Sequence, residues 1–432
     1  MRKITHQTVV RENDFLRMLT SIRVGTFLAW RDIKRANIWT TLLIIFVMTV
    51  TFLNLVVVSG ILVGLIEGAV VAQKEHYTGD VIISHLRQKN YIEQSTDIVR
   101  YLHSLPSVQD VSARYIQGGS IEANYKTKVR ASDITDNDPA LIAGISPFDE
   151  NYVTGISHTL IDGKYLDEGD YDKILVGASL LYKYTPVDTP SLRTLENVEV
   201  GSKVRLNIGG FVREVTVKGI LKSKVSEVDS RIFMTDTQLR GLIGRTDLNA
   251  DEIVVKLKPG ADPSYVKNQL TNLGYANLAK IQTSEEAQPK FLKDMKDTFN
   301  LLGNVIGTIG LVVASITIFI IIFVNAITRR KYIGIMKGIG IDSDAIELSY
   351  IMQAFFYGIF GSAIGLGIIF GFLKPYFAAN PINFPFSDGI LVADPMGVMV
   401  RVGVLMLATV IAGFIPAKIV VRQNTLDAIL GR

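Results

Sequence analysis

The sequence predicts an α-helical membrane protein with four transmembrane helices and a large α+β extracytoplasmic domain, in two lobes, between helices 1 and 2. Three observations predict this fold class. Four apolar stretches are longer than the roughly 20 residues that cross a bilayer as a helix. The first three stretches hold no charged residue, and a polar block at 67–300 separates the first from the second. The stretches are 39–66, 301–328, 348–373 and 396–421.

The distribution of Lys and Arg predicts which side of the membrane each segment occupies. Basic residues concentrate in cytoplasmic segments next to membrane spans, and they cluster here before the first span and just after the second. We therefore expect cytoplasmic segments at 1–38, 329–346 and 422–432. The domain at 67–300 and the loop at 374–395 lie outside, and the spans themselves are placed at 39–66, 301–328, 347–373 and 396–421.

The composition excludes several classes of function. The chain has 432 residues, no cysteine and a formal net charge of +4, and its mean hydropathy is +0.29. The small net charge gives no reason to expect a nucleic-acid partner. Without cysteine there is no thiolate chemistry, and the domain must be held together by its core. The first apolar run is too long for a cleavable signal, so we expect it to act as an uncleaved anchor.

Residues 15–36 have the pattern of an amphipathic helix. Apolar or aromatic side chains recur at spacings of three and four on one side, and basic side chains lie opposite. The first set is Phe15, Leu19, Ile22, Thr26, Trp30 and Ile33. Two interpretations remain open: a helix on the inner membrane surface, or an extension of the first span into the cytoplasm.

The domain between the first two spans shows strand–helix–strand patterns at both ends. We expect the flanks, about 78–160 and 250–287, to form one α+β lobe around a β-rich insert at 160–250. The clearest element is a hairpin, with strands at 203–208 and 211–221 joined by a Gly-Gly turn. Residues 67–77 and 288–300 are expected to be stalks that continue the spans, and 185–195 a loop.

Sequence motifs for catalysis and for nucleotide binding are missing. The chain contains no P-loop run, no His-Glu-x-x-His and no Gly-x-Ser-x-Gly. Its five histidines show no ligand spacing. We therefore expect no enzymatic activity, no cofactor and no metal site in this chain.

Glycines in the third span suggest close helix packing. Small residues four apart let helix backbones approach each other in a membrane, and the relevant positions are Gly358, Gly361, Gly365, Gly367 and Gly371. The pattern predicts a tight seam, within the chain or between two copies. The alternative is that glycine is simply common in such helices.

The segment 329–341, after the second span, is the strongest candidate for a partner site. Arg329, Arg330 and Lys331 anchor the membrane exit, and Gly338 and Gly340 would end a short helix. Its apolar residues are Ile333, Ile335, Met336, Ile339 and Ile341. Such a surface in a short cytosolic loop needs a cover, which is either a partner or the membrane interface beside it.

This segment and the order of the spans resemble the MacB/FtsX class of ABC transporter permeases, which includes the lipoprotein-releasing Lol-type permeases. The family segment Arg-x-x-Glu-Ile-Gly-Ile-Leu-Arg/Lys-Ala-Ile-Gly is similar to 329–340. Residues 143–147, 163–180, 416–418 and 425–430 also look like family sequence. Tyr332 and Gln353 stand where the family often has acidic residues.

The resemblance implies a site for coupling to an ATPase at Arg329, Arg330, Lys331, Ile333, Gly334, Ile335, Met336, Lys337, Gly338, Ile339 and Gly340. It implies two copies of a separate ABC ATPase that holds ATP and Mg, and a second permease chain. It also implies a bacterial inner-membrane location in contact with lipid, and it allows an extracytoplasmic adaptor or chaperone. The implied function is mechanotransmission to an amphiphilic substrate (lipoprotein, peptide or drug). An FtsX-like regulator of a cell-wall hydrolase is the alternative.

Overall fold

The structure is a computed structural model that describes residues 4–126, 136–185, 194–384 and 387–422. The chain divides into two compact units. The helical unit contains Met1–Leu65, Met295–Ile382 and Gly389–Arg432, and the intervening domain contains Ile66–Asp294 and Asn383–Asp388. Most of the predicted loop at 185–195 and of the predicted C-terminal segment at 422–432 lies outside the described residues.

The first two helices are separate elements. Helix α1 spans Ile4–Arg35, and α2 begins at Ile38. Asn37 has an extended backbone and accepts a hydrogen bond from the Trp39 amide at 3.0 Å, which caps α2. Helix α1 is therefore not an extension of the first span.

Helix α1 contacts the later helix at Ser343–Ala379 through a side other than the predicted apolar one. Among residues 19–35 of helix α1, whose burial is described, Gly25 and Ala29 are buried, and a Cβ on Gly25 would lie 2.9 Å from the Ala345 carbonyl oxygen. On the predicted apolar side, Leu19 and Trp30 are 48% and 56% exposed. Small residues form this contact because they let two helix backbones approach closely. The side chain of Phe15 lies outside the described residues.

Helix α2 runs without interruption from Ile38 to Thr78, so the predicted span and the predicted stalk belong to one helix. Within this continuous helix, the hydrogen bonds follow a π-helical pattern in two turns, at Asn54–Val58 and Lys74–Thr78. Such turns are rare and occur often at functional sites. Gly79, with φ of 58°, ends the helix in a backbone conformation that favours glycine.

The intervening domain then alternates strands and short helices. In chain order these are β1 (Val81–His85), α3 (Ser95–Ser104), β2 (Val108–Ala123), β3 (Asp136–Ile145), α4 (Pro147–Thr154), β4 (Leu160–Gly163), β5 (Lys173–Gly177), β6 (Lys203–Ile208), β7 (Phe211–Leu221), α5 (Ser226–Asp229), β8 (Arg231–Thr235), α6 (Asp236–Ile243), β9 (Glu252–Leu257), α7 (Pro263–Asn272), β10 (Ala279–Thr283) and α8 (Ser284–Ala287).

The described strands of the domain form one sheet with the order β10-β1-β9-β2-β3-β8-β5-β7-β4. Because β6 pairs with both β2 and β7, the strands β2, β3, β8, β5, β7 and β6 close into a ring. The β6–β7 hairpin turns at Gly209 and Gly210, with φ of 58° and 90°. The predicted hairpin and the predicted strand–helix–strand ends, β1-α3-β2 and β9-α7-β10, are confirmed.

The predicted boundary between the lobes, near residue 160, is wrong. Strand β2 serves both lobes: Val108–Arg114 pairs with β9, and Tyr115–Ala123 pairs with β3. Val111 belongs to the core around α3 and α7, whereas Tyr115 and Ile121 belong to the core of the strand ring. A single long strand can join two cores, and local periodicity does not show where its partners change.

The remaining elements belong to the helical unit, apart from residues 290–294 and 383–388, which belong to the intervening domain. They are α9 (Lys290–Thr328), α10 (Arg330–Gly338), α11 (Ser343–Ala379, with a π-helical turn at Ile369–Leu373), β11 (Ile382–Phe384), β12 (Ser387–Gly389) and α12 (Pro395–Val421). Helices α2, α9, α11 and α12 are long and apolar enough to cross a membrane. The predicted loop 374–395 is partly regular, because α11 continues to Ala379 and the short strands β11 and β12 pair.

Candidate functional site

The segment 329–341 folds as the short helix α10 and a turn. Arg329, with φ of −100°, separates α10 from α9. Gly340 has φ of 90°, and its amide donates to the Lys337 carbonyl oxygen at 3.0 Å. A left-handed glycine of this kind ends a helix and redirects the chain. Gly340 therefore has the predicted role, whereas Gly338 is the last residue of the helix itself.

The structure divides the apolar residues of this segment into two groups. Ile333 is 2% exposed, and Met336 and Ile341 are partly buried against the core of the helical unit. Ile335 and Ile339 are 44% and 74% exposed. The prediction that all five form one surface is therefore wrong, because a helix places neighbouring positions on different sides.

Tyr332 joins the two exposed isoleucines. It is 69% exposed, and it precedes Ile335 and Ile339 by three and seven residues. Ile339 directly follows α10, and its amide donates to the Ile335 carbonyl oxygen at 3.0 Å, so the helical spacing places all three residues on one side. We call Tyr332, Ile335 and Ile339 the exposed stripe. It is apolar with one phenolic hydroxyl, and Lys331 beside it is exposed as well.

Charged side chains fix α10 to its neighbours. Arg329 donates to the Asp32 carboxylate at 2.9 Å, and Gln353 donates to the same carboxylate at 3.4 Å. Lys337 donates to the Val421 carbonyl oxygen at 2.8 Å, at the end of α12 where a cation is favourable. Asp32 thus links α1, the start of α10 and α11.

Sequence reasoning missed Asp32. A signal was present, because it is the one acidic residue in the basic helix predicted at 15–36. Gln353 stands where the family often has an acidic residue. Its hydrogen bond to the Asp32 carboxylate gives this glutamine a structural role. A cleft of about 510 Å³ lies beside this contact and is lined by Leu28, Arg31, Asp32, Arg35, Arg329, Tyr332, Ile333, Ile335, Met336, Ser349 and Tyr350.

We expect reversal of the Asp32–Arg329 pair to restore what single reversals lose. Asp32→Arg places two cations together and should weaken the hold of α1 on α11, while Asp32→Arg with Arg329→Asp re-forms the pair. Both side chains are about a third exposed, so the effect is modest, about 1 kcal/mol or less. Protease sensitivity of α1 in the solubilised chain measures it. Equal sensitivity of the single and double variants would contradict the prediction.

The five glycines predicted to form a seam fall into two groups. A Cβ on Gly361 would lie 3.1 Å from the Met48 carbonyl carbon, and one on Gly365 would collide with the Phe52 ring. One on Gly358 would lie 2.8 Å from the Met406 sulfur. Gly367 and Gly371 have no atom within 4 Å of their Cβ positions. In the described residues these glycines therefore bring α11 close to α2 at Gly361 and Gly365 and close to α12 at Gly358, within one chain.

These contacts predict opposite effects for two similar substitutions. Gly361→Leu must displace the α2 backbone at Met48, and overpacking of this kind costs about 1–3 kcal/mol. Gly367→Leu in the same helix enters open space and should leave stability nearly unchanged. Thermal unfolding of the two variants in detergent distinguishes them. A seam that tolerates leucine at 361 as well as at 367 would disprove the assignment.

A second group of functional side chains lies inside the intervening domain. Arg114, Glu150, Arg231 and Glu252 are 0–7% exposed and pair with one another. They come from β2, α4, β8 and β9, and Tyr77 at the end of α2 joins them. We call these five residues the ionic cluster. Sequence reasoning missed it, because its members are scattered over five elements.

The geometry of the ionic cluster satisfies its charges. Arg114 binds Glu150 with two nitrogens, at 2.6 and 2.9 Å, and Glu252 at 3.1 Å. Arg231 binds Glu252 at 2.9 and 3.1 Å. Tyr77 donates its hydroxyl to Glu252 at 2.7 Å, and its carbonyl oxygen accepts from Arg114 at 2.9 Å. The end of α2 is therefore held by side chains from both lobes.

Electrostatics keep both carboxylates of the ionic cluster charged. Burial alone would raise the pKa of Glu252, but the attraction of Arg231 and Arg114, with hydrogen bonds from Arg231 and Tyr77, lowers it to about 2. Burial also opposes ionisation of Glu150, yet Arg114 and the hydroxyls of Ser112 and Thr154 hold its pKa below the usual range. The pairing outweighs desolvation at both sites.

In the part of the chain that the structure describes, no group of three or more His, Asp or Glu side chains is placed to hold a metal ion. The candidate sites are therefore a surface, the exposed stripe, and a buried joint, the ionic cluster. Neither has the arrangement of a nucleophile with a base.

Four long apolar helices with a folded domain after the first define a multi-pass membrane protein with one large α+β domain. The model described as MacB-like periplasmic core domain matches residues 41–273, more than half of the chain, and FtsX-like permease C-terminal matches residues 304–425. The chain belongs to the MacB/FtsX-type ABC transporter permeases.

Individual relatives are distant. The macrolide export ATP-binding/permease protein MacB 1 of Yersinia pestis bv. Antiqua (strain Antiqua) is 25% identical over 50% of this chain and 33% of the relative. The ABC transporter permease YtrF of Bacillus subtilis (strain 168) is 26% identical over 46% and 48%. The chain thus spans a third to a half of the length of these curated relatives.

Among solved structures, the chain is similar to the periplasmic region of MacB from Actinobacillus actinomycetemcomitans. Its sequence identity is 16% and its TM-score is 0.33, and the match covers 48% of this chain and 88% of that one.

Proposed function

We propose that this chain is a permease subunit driven by an ABC ATPase that its own sequence does not contain. The ATPase, in two copies, binds ATP and Mg, and a second permease chain completes the complex. The termini and α10 face the cytoplasm of a bacterial cell, the intervening domain lies outside its inner membrane, and the exposed apolar side of α1 faces lipid.

The observation that carries this proposal is the exposed stripe. Its residues are 44–74% exposed, while the other side of the same short helix is fixed by Ile333 and by the Lys337 bond to the end of α12. An apolar side on a rigid helix is a surface that a partner covers. The missing P-loop supports an ATPase as that partner, and the name of the MacB relative links such a permease with ATP binding.

Transmission to the intervening domain follows from the continuity of two helices. Helices α2 and α9 run from the helical unit to the intervening domain as single helices of 41 and 39 residues. At its far end α2 is held by the ionic cluster. Displacement of α10 by ATPase closure would reach the domain through these helices, where it acts on an amphiphilic substrate such as a lipoprotein, a peptide or a drug.

Two cysteine variants test the orientation on which this proposal depends. The chain has no cysteine, so Leu248→Cys in the intervening domain and Asp344→Cys at the start of α11 each provide a single exposed thiol. We expect a membrane-impermeant maleimide to label position 248 in intact spheroplasts and position 344 only after permeabilisation. The opposite pattern, or no ATPase recovered with the purified chain, would refute the proposal.

A further inference from the structure

The connection between α11 and α12 is divided between the two compact units. Residues 383, 384, 387 and 388 pack with the intervening domain, whereas residue 382 and the residues from Gly389 onward belong to the helical unit. The chain therefore crosses between the units four times, at α2, at α9 and twice in this connection.

Within the intervening domain, Lys224 holds this connection. Its ammonium group forms an ion pair with Asp388 and donates to the Asn383 side-chain oxygen at 2.9 Å and to the Ser387 carbonyl oxygen at 3.5 Å. The Lys224 side chain is only 13% exposed, so the ion pair is shielded from water on one side. Three acceptors converge on one ammonium group, which has three protons to donate.

The backbone around Lys224 is preorganised for this contact. Lys224 has φ of 64°, a left-handed conformation that is unfavourable for a residue with a side chain. The buried Asp229 carboxylate stabilises it by accepting from the amides of Ser223 and Lys224, at 2.6 and 2.9 Å, and from the Ser223 hydroxyl at 2.8 Å. Strained backbone that the surrounding structure holds in place is found most often at functional sites.

Glycine in α2 makes a second contact with the same residues of the domain. A Cβ on Gly68 would lie 2.5 Å from the Ser387 hydroxyl oxygen and would collide with the Asp388 carbonyl oxygen. Ser387 is fully buried. The backbone at 387–388 therefore lies directly against α2. Any side chain at position 68 would occupy this space, so only glycine fits there.

Within the helical unit, the continuation of this connection is also packed against glycine. A Cβ on Gly60 would lie 2.6 Å from the Val392 carbonyl oxygen, and one on Gly64 would collide with the Ile390 backbone. The Val392 amide donates to the Gly60 carbonyl oxygen at 3.2 Å. The connection is thus fixed in each unit by its own set of contacts.

We propose that residues 382–384 and 387–392 form a docked arm, a third mechanical link that joins α11 and α12 to the intervening domain in addition to the two helices α2 and α9, with Lys224 as its positioning residue. This inference rests on the proposed function, because a link between the units matters only if motion passes between them. Fixed contacts at both ends let the arm transmit displacement, whereas a free loop of this length would absorb it.

The first test concerns docking and needs no nucleotide. Lys224→Met keeps the length of the side chain and removes the ammonium group, and Lys222→Met is the control, an exposed lysine two residues away. In the full chain in nanodiscs, we expect Lys224→Met to raise amide exchange at 387–392 about tenfold and Lys222→Met to leave it unchanged. Unchanged exchange in Lys224→Met would overturn the docked arm whatever the function.

The second test concerns transmission. Spin labels at Leu248→Cys and Asp344→Cys report the distance between the units in the complex with its ATPase, without nucleotide and after trapping with MgATP and vanadate. We expect the trapping-dependent change to shrink in Lys224→Met and in Asp388→Asn, and to recover when Lys224→Asp is combined with Asp388→Lys.

The outcomes separate the two proposals. A full distance change in Lys224→Met refutes the arm and leaves the proposed function intact. A wild-type complex in which trapping moves neither label refutes both. Recovery in the reversed pair shows that the ion pair itself matters, since a change in folding alone would persist in that variant.

Discussion

Replacing Ile335 and Ile339 by glutamate will separate this permease from its ATPase. Both side chains are exposed, Ile335 on α10 and Ile339 directly after it, so the variant keeps its own fold. In the complex, each would place a carboxylate in an apolar contact. A central apolar side chain contributes about 2 kcal/mol to such an interface, so we expect the affinity to fall by about 100-fold or more. Recovery of the ATPase with the purified chain, and ATP hydrolysis by the mixture, measure this.

The matched control is Leu248→Glu. Leu248 is 67% exposed in the intervening domain and lies outside the exposed stripe, so the same kind of substitution should leave ATPase recovery at the wild-type level. A milder variant, Tyr332→Glu, restores the acidic residue that is common in the family and tests whether the phenol contributes to binding. Wild-type recovery of the ATPase with Ile335→Glu and Ile339→Glu together would remove the exposed stripe as the docking surface.

Removing one charge from the ionic cluster will destabilise the intervening domain far more than removing a surface charge. Glu252→Gln leaves Arg114 and Arg231 with an uncompensated buried charge, and breaking a buried pair in this way costs about 3–5 kcal/mol. Glu286→Gln is the control, because the Lys267–Glu286 pair is 30% and 45% exposed and contributes about 0–1 kcal/mol.

Amide exchange of β2 and β9 in the full chain measures both variants. We expect exchange to accelerate strongly in Glu252→Gln and to remain close to wild type in Glu286→Gln. Equal protection in the two variants would show that the ionic cluster does not hold the domain together.

The acid sensitivity of the domain follows from the same carboxylate. The pKa of Glu252 is about 2 in the fold, against an ordinary value of 4.5. A lowered pKa means that the ionised form is the stabilising one. The contribution of Glu252 is therefore complete above about pH 5 and is lost as the pH falls toward 2. Wild-type chain should lose protection of β9 over this range, and Glu252→Gln should lack that part of the pH dependence.

Local signals predicted much of the fold. Apolar length with little or no charge identified the four membrane helices, because few other environments accept such a segment. The Gly209–Gly210 turn, flanked by alternating residues, identified the β6–β7 hairpin. Each of these signals depends on residues close to one another in the chain.

Contacts between distant residues were not visible in the same way. The sequence placed five apolar residues of 329–341 on one surface, and packing against the helical unit buried Ile333 and left Ile335 and Ile339 outside. The Asp32–Arg329 pair joins residues almost 300 positions apart. The ionic cluster similarly requires that β2, α4, β8 and β9 meet at the end of α2.

By itself, the sequence determined which segments enter a membrane, where the polar domain begins and ends, and which short segment resembles an ATPase contact. Apolar length and turn chemistry act over a few residues, so they can be read along the chain. Only the tertiary structure decided which side of α10 stays exposed, which glycines lie in a seam, and how Lys224 and the ionic cluster hold the domain. Burial and charge pairing depend on which residues are neighbours in space, and the order of residues along the chain does not show those neighbours.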